Sequence, residues 1–408
     1  MLLVLYNPSA GSGAAKGFFD EHVLPLLAAN GKTVDLVAAT EYADHAGKIL
    51  VEFMQAHDGP VSVVLGSGDG TLNECMTSLA KATFTGLRGG PDSHRVSFAL
   101  VPCGTANALY STLFPPPEDP ADVAYRLQSV KAFIAGGTKT VPLHLAITTL
   151  SSPPFARKRP QGKLCFFYSP IRCSYQTAKV SGVVVSTCLH ASILKDSEKL
   201  RAEIPSMDRF KVAAQQNSHK WYKSHVKLLP APEAGVVQIY DPLTKAFTTH
   251  PESDADDEPI VDVDDVFSYF LATVNFAIAP LTSKIPPAEA TLDILMLRPL
   301  RSPVISIDSP AARADFVPVL YKVLGAAYQD GAHIDLCYTE DGSADAEGTG
   351  PVVIEYIRCG GFEWIPDADD EDAHNICTDG EISVIEREGR AVCSAASPDA
   401  VGGFLVYV

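Results

Sequence analysis

In the stretch "LGSGDGTLNE", residues 65–74, glycines and an acidic residue follow directly on the apolar run "VSVVL" at 61–65. A glycine costs about 0.5–1 kcal/mol in a strand or helix interior, so glycines at this density predict a turn at the end of a buried strand. The residues that follow, "LNECMTSLA" at 72–80, have the apolar spacing of a helix. We therefore expect a strand, a turn that contains Asp69, and a helix.

The same alternation of strand and helix extends over the first third of the chain. Short apolar runs predict strands at 2–6, 33–39, 61–65 and 96–101. Amphipathic spacing predicts helices at 14–30, 41–57 and 72–80. Such alternation is typical of a parallel sheet with helices on both faces.

The pattern changes near residue 140, after which short β-type segments separated by turn residues predominate. Helical insertions are predicted only at 194–221 and 310–329. Many short strands in succession are typical of an antiparallel sandwich or barrel. We therefore predict two domains, an α/β domain with a parallel sheet at 1–139 and a mainly antiparallel β-sandwich domain at 140–408.

Composition narrows the classes of function. The net charge is −17 over 408 residues, and a nucleic-acid binder would normally carry a basic face, so no nucleic-acid partner is expected. No apolar stretch approaches the roughly 18 residues of a membrane span, and the opening "MLLVLYNPSAGSG" lacks a basic leader and predicts a strand. Nine cysteines without a C-x-x-C pair favour a reducing compartment, so a cytoplasmic location is expected.

Charged runs in the second part predict exposed loops. Acidic residues concentrate at 252–265 ("ESDADDEP" with "VDVDD") and at 367–372 ("DADDED"), without the spacing or the glycine of an EF-hand. Solvated surface loops are therefore expected there, and no metal site. The basic run "FARKRPQGK" at 155–163 predicts an exposed loop, with contact to anionic lipid headgroups as the alternative.

Three small-residue turns each follow a strand of the first domain: "NPSAGSG" at 7–13, "GSGDGT" at 66–71 and "PCGTAN" at 102–107. Ligands of open α/β sheets bind beyond the carboxyl ends of the strands. Glycines let backbone N–H groups approach an anion closely, and the N-terminus of the next helix favours negative charge. The three turns together predict a polyphosphate site.

Two familiar polyphosphate motifs fit less well. "GSGAAKG" at 11–17, with Asp35 further on, resembles a dinucleotide fingerprint, but its spacing is G-x-G-x-x-x-G and polar residues separate it from the strand. A Walker loop requires Gly-Lys-Ser/Thr, whereas Lys16 here precedes Gly17.

The three turns resemble the nucleotide-binding motifs of the diacylglycerol kinase catalytic family. The chain is similar in particular to its sphingosine kinase branch, through "TEYADHA" at 40–46, "DSEKLR" at 196–201, "DRF" at 208–210 and "TDGE" at 378–381. The resemblance spans most of the chain in the family's order. It implies a two-domain kinase that transfers the γ-phosphoryl group of ATP, with Mg²⁺, to a lipid hydroxyl. In such a kinase residues 1–139 would form the nucleotide-binding domain and residues 140–408 the lipid-binding domain.

The resemblance implies that Asp69 is the general base that accepts the proton of the attacking hydroxyl. The alternative is that Asp69 is a turn residue or a helix cap. Glu74, one turn into the helix, corresponds to a nucleotide-contacting residue of the family, with plain solvent exposure as its alternative. His45 by itself would be an ordinary helix-surface residue, and only its motif places it near the nucleotide.

The other ATP-binding residues also come from the resemblance. In the first domain they are Asn7, Ser9, Gly11, Ser12, Thr40, Glu41, His45, Ser67, Gly68, Gly70, Thr71, Gly104, Thr105 and Asn107. In the second domain the resemblance implies two phosphate-binding arginines and a late motif: Arg201, Arg209, Asp379, Gly380 and Glu381. Guanidinium groups suit a transferring phosphoryl group because they donate two hydrogen bonds in a fixed plane.

The acceptor lipid is less clearly defined. The resemblance implies a sphingoid base or a related long-chain lipid, yet the acidic residues that meet the amino alcohol in sphingosine kinases correspond here to Ser192 and Leu194, with Asp196 the nearest acid. A buried ammonium needs a charged partner, which could come instead from Asp265 or Glu355. Diacylglycerol or another neutral lipid is the alternative acceptor; an NAD kinase and a catalytically inactive scaffold are the alternative functions. Transient association with a membrane is expected.

Overall fold

The structure, a computed structural model, describes residues 1–89, 93–105, 107–136, 139–151, 178–274, 290–398 and 403–408. The chain forms two compact units. The first comprises Met1–Leu145, Val180–Val183 and Ala396–Val408, and the second comprises Ala146–Lys179 and Val184–Ala395. The basic run at 155–163 lies outside the described residues.

The first part of the chain alternates strands and helices as predicted. Its elements are β1 (Leu2–Tyr6), α1 (Ala15–Phe18), a π-helical turn (Phe19–Val23), α2 (Leu24–Ala29), β2 (Leu36–Ala39), α3 (His45–Ala56), β3 (Val61–Ser67), α4 (Asp69–Lys81), a 3₁₀ turn (Gly86–Arg88), β4 (Val96–Pro102), α5 (Ala108–Leu113), α6 (Val123–Arg126), α7 (Gln128–Ile134) and β5 (Thr140–Pro142).

The remainder of the described chain is mostly β. Its strands are β6 (Leu145–Ser151), β7 (Lys179–Ser181), β8 (Val184–Thr187), β9 (Tyr222–Leu229), β10 (Gln238–Asp241), β11 (Ala246–Thr249), β12 (Val261–Phe267), β13 (Tyr269–Thr273), β14 (Leu292–Leu297), β15 (Cys337–Tyr338), β16 (Ala344–Asp345), β17 (Glu355–Cys359), β18 (Gly361–Pro366), β19 (Asn375–Thr378), β20 (Glu381–Val384), β21 (Arg390–Ala396) and β22 (Phe404–Tyr407). Its helices are α8 (Cys188–Leu200), α9 (Asp208–Asn217) and α10 (Pro310–Ala327), with 3₁₀ turns at Pro299–Arg301, Ala332–Asp335 and Glu371–His374.

The first unit contains one sheet with the order β2-β1-β3-β4-β22-β5. The pairs from β2 to β22 are parallel, and β5 pairs antiparallel with β22. Every residue of β1 is buried, as are six of the seven residues of β3, because helices cover both faces of a parallel sheet. The predicted α/β class is confirmed.

The last strand of the chain belongs to this first sheet. The sequence assigned all of 140–408 to the second domain, but β22 inserts between β4 and β5, where Phe404 and Val406 are fully buried. The side chain of Ser129 on α7 joins β22 to β4, because its Oγ donates to Tyr407 O at 2.7 Å and accepts from Leu100 N at 3.0 Å. A short apolar run far from its partner strand carries no sequence signal of that pairing.

The second unit is a sandwich of two largely antiparallel sheets. One has the order β11-β10-β17-β14-β13-β8-β19-β20, and the other includes the run β12-β9-β18-β21-β6. The sheets share one core, in which the ring of Phe270 on β13 lies 4.9 Å from that of Phe362 and 5.1 Å from that of Trp364, both on β18. The predicted β-sandwich is confirmed.

One of the predicted acidic loops is partly a strand. The segment "VDVDD" lies in β12 and pairs with β9 over seven residues. Val261 and Val263 point into the core while Asp262 and Asp264 are exposed, which is the alternation of a half-buried strand. The prediction of a solvated loop for this part of 252–265 was therefore wrong, because the charge of the run obscured its period of two.

Candidate active site

The carboxyl ends of four adjacent parallel strands carry the predicted nucleotide residues of the first unit. Backbone hydrogen bonds continue the sheet one residue beyond the strands: Asn7 N donates to Gly66 O at 2.9 Å, Thr40 N to Tyr6 O at 3.0 Å, and Cys103 N to Ser67 O at 3.1 Å. The three glycine turns and Thr40 therefore lie side by side at one edge of the sheet.

Side-chain hydroxyl groups connect the first two turns. Thr71 Oγ1 accepts hydrogen bonds from Ser67 Oγ and, at 3.4 Å, from Asn7 Nδ2. Asn7 Oδ1 in turn accepts from the backbone N–H of Ser9 at 2.9 Å. Ser67 and Thr71 are buried, whereas Ser9 and Ser12 are exposed. The buried members hold the turns in place, and the exposed members face solvent where a ligand could bind.

Gly11 brings the first turn against the third. Its φ is +55°, in the left-handed region, and a Cβ there would lie 2.5 Å from the carbonyl oxygen of Cys103. Any other residue would therefore separate the two turns or distort them. Within the third turn, Asn107 and Gly104 exchange two hydrogen bonds of 3.0 Å each, while Thr105 is exposed.

Asp69 is the first residue of α4, with Gly68 as the helix cap. Its carboxylate reaches the N-terminus of a different helix: Oδ2 accepts from Ala108 N at 2.7 Å and Oδ1 from Leu109 N at 3.3 Å. A cavity of about 20 Å³ is lined by residues of both turns, among them Ser67, Asp69, Pro102 and Asn107. Asp69 thus caps α5 and lines a space shared by two glycine turns. Its position is compatible with both interpretations from the sequence, a general base and a helix cap.

The segment between β2 and α3 carries three further predicted residues. Thr40 is buried, Glu41 is exposed, and Glu41 N donates to His45 Nδ1 at 3.1 Å. The His45 ring stacks on Tyr42 with centroids 4.2 Å apart. The predicted helix at 41–57 begins later, at His45, because Asp44 adopts a left-handed conformation with φ of +63°.

Gly70 and Glu74, two further predicted residues, lie in the first two turns of α4. Gly70 is exposed and Glu74 is half-buried.

The predicted arginines lie in the second unit and have different environments. Arg201 is half-exposed and donates from Nη2 to Glu198 Oε1 at 2.6 Å. Arg209 is buried, and its Nη1 donates to the carbonyl oxygens of Pro205 and Ser206 at 3.0 Å each. The guanidinium of Arg209 therefore supports its own turn in this conformation, and the phosphate role of both arginines stays a prediction.

The late motif forms a strained turn in the second unit. Asp379 is buried with φ of +48°, and its Oδ1 accepts from Val184 N at 2.7 Å. Gly380 follows with φ of +96°, and Glu381 forms an ion pair with Lys179. Asp379 thus anchors the turn to β8, while Gly380 supplies a conformation that other residues rarely adopt.

The candidate acceptor residues lie on α8 of the second unit. Ser192 is buried and accepts from the hydroxyl group of Tyr222 at 2.9 Å. Leu194 is half-buried. Asp196 pairs with Lys199 at 2.7 Å and accepts from Asn217 Nδ2 at 2.9 Å; burial opposes the charged form, but these two partners hold the pKa of Asp196 below its ordinary value.

The two acids considered as substitutes, Asp265 and Glu355, pair with arginines of the same unit. Arg298 forks onto Glu355 with two bonds of 2.7 Å and reaches Asp265 at 3.2 Å. Arg301 adds a bond of 3.1 Å to Glu355, which is almost completely buried. Both carboxylates are therefore neutralised by cations of the protein.

A residue outside every sequence motif also contacts the third glycine turn. Arg126, at the end of α6, donates from Nε to Pro102 O at 3.2 Å. No spacing pattern pointed to it. Among the described residues, no cluster of three or more His, Cys, Asp or Glu side chains could hold a metal ion, and no described helix is long and apolar enough to cross a membrane.

The first unit is an α/β unit whose parallel sheet carries three glycine turns and an acidic residue at one edge, and a β-sandwich follows it. Residues 1–141 match the family model of the diacylglycerol kinase catalytic domain. The resemblance to this family drawn from the motifs of residues 1–141 is thereby confirmed, and the motifs at 196–201, 208–210 and 378–381 lie outside the matched residues.

Two curated proteins are similar to part of the chain. Human (Homo sapiens) sphingosine kinase 2 is 34% identical over 112 residues, which cover 26% of this chain and 15% of that protein. Ceramide kinase 1 of Caenorhabditis elegans is 31% identical over 123 residues, 28% of this chain and 22% of that protein. The chain thus matches less than a quarter of the length of either relative.

Two solved structures are similar over almost the whole chain. Both are of a Bacillus anthracis str. Sterne protein assigned as a diacylglycerol kinase, and each is 13% identical. One has a TM-score of 0.51 and covers 100% of this chain and 97% of its own; the other has a TM-score of 0.50 and covers 99% and 96%. At this identity the similarity shows the shared fold.

Proposed function

We propose that the protein is an ATP-dependent lipid kinase that transfers the γ-phosphoryl group of ATP to a lipid hydroxyl. The observation that carries this proposal is the position of Asp69 beside the glycine turns at the carboxyl edge of the sheet, within the part of the chain that matches the kinase family. The second unit, with its β-sandwich, is proposed to bind the lipid.

The three turns fit a polyphosphate. The close approach of Gly11 to Cys103 leaves a surface of backbone and small side chains, which is what close binding of phosphate oxygens requires. The N-terminus of α4 follows directly on the end of β3 and favours negative charge there. ATP would supply the transferable phosphoryl group, and Mg²⁺ is proposed to accompany its phosphates, as is usual in phosphoryl transfer.

Asp69 is proposed to accept the proton of the lipid hydroxyl as that oxygen attacks phosphorus. Hydrogen bonds from Ala108 N and Leu109 N fix the carboxylate plane. The carboxylate is therefore held in one orientation, as a general base that must meet a bound hydroxyl group requires.

The contacts of the candidate acids favour an acceptor with a neutral headgroup. Ser192 is occupied by Tyr222, Asp196 by Lys199 and Asn217, and the acids Asp265 and Glu355 by arginines. An ammonium group placed beside these residues would have to displace an existing cation or stay unpaired, which is costly in a buried site. A ceramide-like amide or a diacylglycerol avoids this cost.

The test is a phosphorylation assay of the full chain with γ-labelled ATP and Mg²⁺. Sphingosine, ceramide and diacylglycerol are each offered in mixed micelles, and NAD is offered separately. Labelled lipid that disappears in Asp69→Asn supports the proposal. Labelled NADP without labelled lipid would favour an NAD kinase, and ATP binding without transfer to any acceptor would favour the inactive scaffold.

Membrane contact is part of the same proposal, because long-chain lipids reside in bilayers. Sedimentation of the full chain with vesicles of neutral and of anionic phospholipids tests it directly. Binding that increases with the anionic fraction would indicate an electrostatic contribution of about 1 kcal/mol per basic residue near the surface.

A further inference from the structure

We propose that Arg126 is an additional nucleotide-binding residue whose guanidinium group binds the phosphates of ATP at the glycine turns. This inference rests on the proposed function, since it assigns the residue to the same site. Its evidence is the position of the guanidinium, the charge of the three turns, and the donors that Arg126 leaves open.

The guanidinium group of Arg126 contacts both the third glycine turn and the helix that follows the first glycine turn. Its Nε donates to Pro102 O at 3.2 Å and its Nη2 to Cys103 Sγ at 3.3 Å, both at the start of the third turn. Its plane stacks on the ring of Phe18, 3.7 Å from the centroid. Phe18 belongs to α1, which begins directly after the first turn. Arg126 therefore bridges the third turn and the helix that follows the first.

The first and third turns meet at the residue that Arg126 contacts. The site where a Cβ of Gly11 would lie is 2.5 Å from Cys103 O and 3.2 Å from the carbonyl carbon of Gly104. The guanidinium group thus contacts Cys103, the residue of the third turn against which Gly11 of the first turn packs. A phosphate group bound at that junction would be within reach of an arginine side chain.

The three turns carry no cation of their own. "NPSAGSG", "GSGDGT" and "PCGTAN" contain neither lysine nor arginine, and the second turn contributes the negative charge of Asp69. Lys16, shortly after the first turn, pairs with Asp20 at 2.7 Å. A triphosphate carries several negative charges, so a cation from elsewhere in the unit would stabilise it substantially.

Arg126 has donors to spare for that purpose. An arginine side chain has five N–H groups, and the contacts of Arg126 with other described residues use two of them. No carboxylate of the described chain forms an ion pair with it, and the side chain is half-buried rather than enclosed. The stacked, partly fixed guanidinium is therefore preorganised to donate two parallel bonds to phosphate oxygens.

The experiment measures equilibrium binding of ATP, ADP, AMP and adenosine to the full chain and to Arg126→Met and Arg126→Lys. Methionine keeps an apolar stem over Phe18 and removes the charge. We expect Arg126→Met to weaken ATP binding about 10- to 100-fold, ADP less and AMP least, with adenosine unchanged. Arg126→Lys is expected to recover part of the ATP affinity, because it restores a positive charge without the planar fork.

The matched control is Arg88→Met. Arg88 lies in the same unit, and its hydrogen bonds to described residues all go to backbone carbonyls, at 2.7 Å to His57 O, 3.1 Å to Gly59 O and 3.0 Å to Ser93 O. Its loss should lower the melting temperature and leave the ratio of ATP to adenosine affinity unchanged. If Arg126→Met behaves in the same way, Arg126 is only a clamp and the inference is wrong.

Failure of the proposed function has a separate signature. Wild-type protein that binds no ATP would overturn the function and this inference together. Wild-type protein that binds ATP and phosphorylates lipid, while Arg126→Met binds ATP with unchanged affinity, would overturn the inference alone.

Discussion

The Oδ2 atom of Asp69 accepts a hydrogen bond from the backbone N–H of Ala108 at 2.7 Å, and this bond joins the turn after β3 to the helix after β4. A second bond, from Leu109 N to Oδ1, completes the cap. One side chain therefore has a structural partner on both oxygens while it occupies the position of the proposed base. Changes at this residue should affect both catalysis and local order, and the two effects can be separated.

Asp69→Asn is expected to lower kcat by about 10²- to 10⁴-fold, because an amide cannot accept the proton. The Asn oxygen can still cap one N–H of α5, but its NH₂ group must face the other donor. We therefore also expect a loss of about 1–2 kcal/mol in the free energy of unfolding. Turnover, ATP affinity and urea unfolding are measured together. Unchanged kcat would exclude Asp69 as the base.

Gly11→Ala should damage the phosphate site without reaching the hydrophobic core. The φ of +55° and the 2.5 Å approach to Cys103 O leave no place for a methyl group. ATP affinity is expected to fall at least tenfold as the first and third turns separate. Gly17→Ala is the control: a Cβ there contacts nothing within 4 Å, and alanine in helix α1 should gain up to about 1 kcal/mol of stability. Equal ATP affinities in the two variants would contradict the assignment of the turn.

Much of the first unit could be predicted because its signals are local. Apolar runs of about five residues followed by glycines defined β1, β3 and β4 and placed their turns at one sheet edge. The family resemblance then assigned roles to Asp69 and its neighbours. The cap that Asp69 provides for α5 could not be predicted, because it joins residues 39 apart through a backbone N–H that leaves no trace in composition or spacing.

The strand β12 and the contacts of Arg126 and Arg209 differ from the sequence predictions, or lie outside them, for physical reasons. In β12 the charge of Asp262, Asp264 and Asp265 hid an alternation that is clear once Val261 and Val263 are recognised as the buried face. Arg126 is the last residue of the short helix α6, which carries no motif, so its contact with Cys103 depends on tertiary packing alone. The burial of Arg209 against its own carbonyl oxygens likewise could not be predicted from a motif that specifies only residue type.

Leu194→Asp tests the headgroup of the acceptor. If the natural acceptor is neutral, a carboxylate on this half-buried position of α8 should raise kcat/KM for sphingosine relative to ceramide about tenfold, because it gives the ammonium a partner. Leu194→Asn has nearly the same shape without the charge and should not change the preference. The ratio of the two kcat/KM values is the readout.

A contrary result is equally informative. A wild-type enzyme that already prefers sphingosine, and loses that preference in Asp196→Asn, would make Asp196 the headgroup ligand. The contact between Asp196 and Lys199 would then have to open when the lipid binds.

Glu355→Gln should destabilise the second unit strongly. Glu355 is only 1% exposed, and its carboxylate accepts hydrogen bonds from both Arg298 and Arg301. A neutral glutamine in its place would leave these two arginines without a negatively charged partner there. Breaking a buried pair of this kind costs about 3–5 kcal/mol. Asp369→Asn is the control, because the Asp369 side chain is 91% exposed in its pair with Arg387 and surface pairs contribute about 0–1 kcal/mol. Urea unfolding of both variants would show whether the arginine pairs are structural.

The insertion of β22 between β4 and β5 has a consequence for biosynthesis. The first turn, Asp69 and the third turn are all translated early. The strand that lies between β4 and β5, β22, is translated only at residues 404–407. Until then β4 has an open edge, with unpaired backbone groups that favour association with other chains. All strands from β6 to β21 are translated before β22. The sheet that carries the three glycine turns is therefore completed only after the strands of the sandwich have been synthesised.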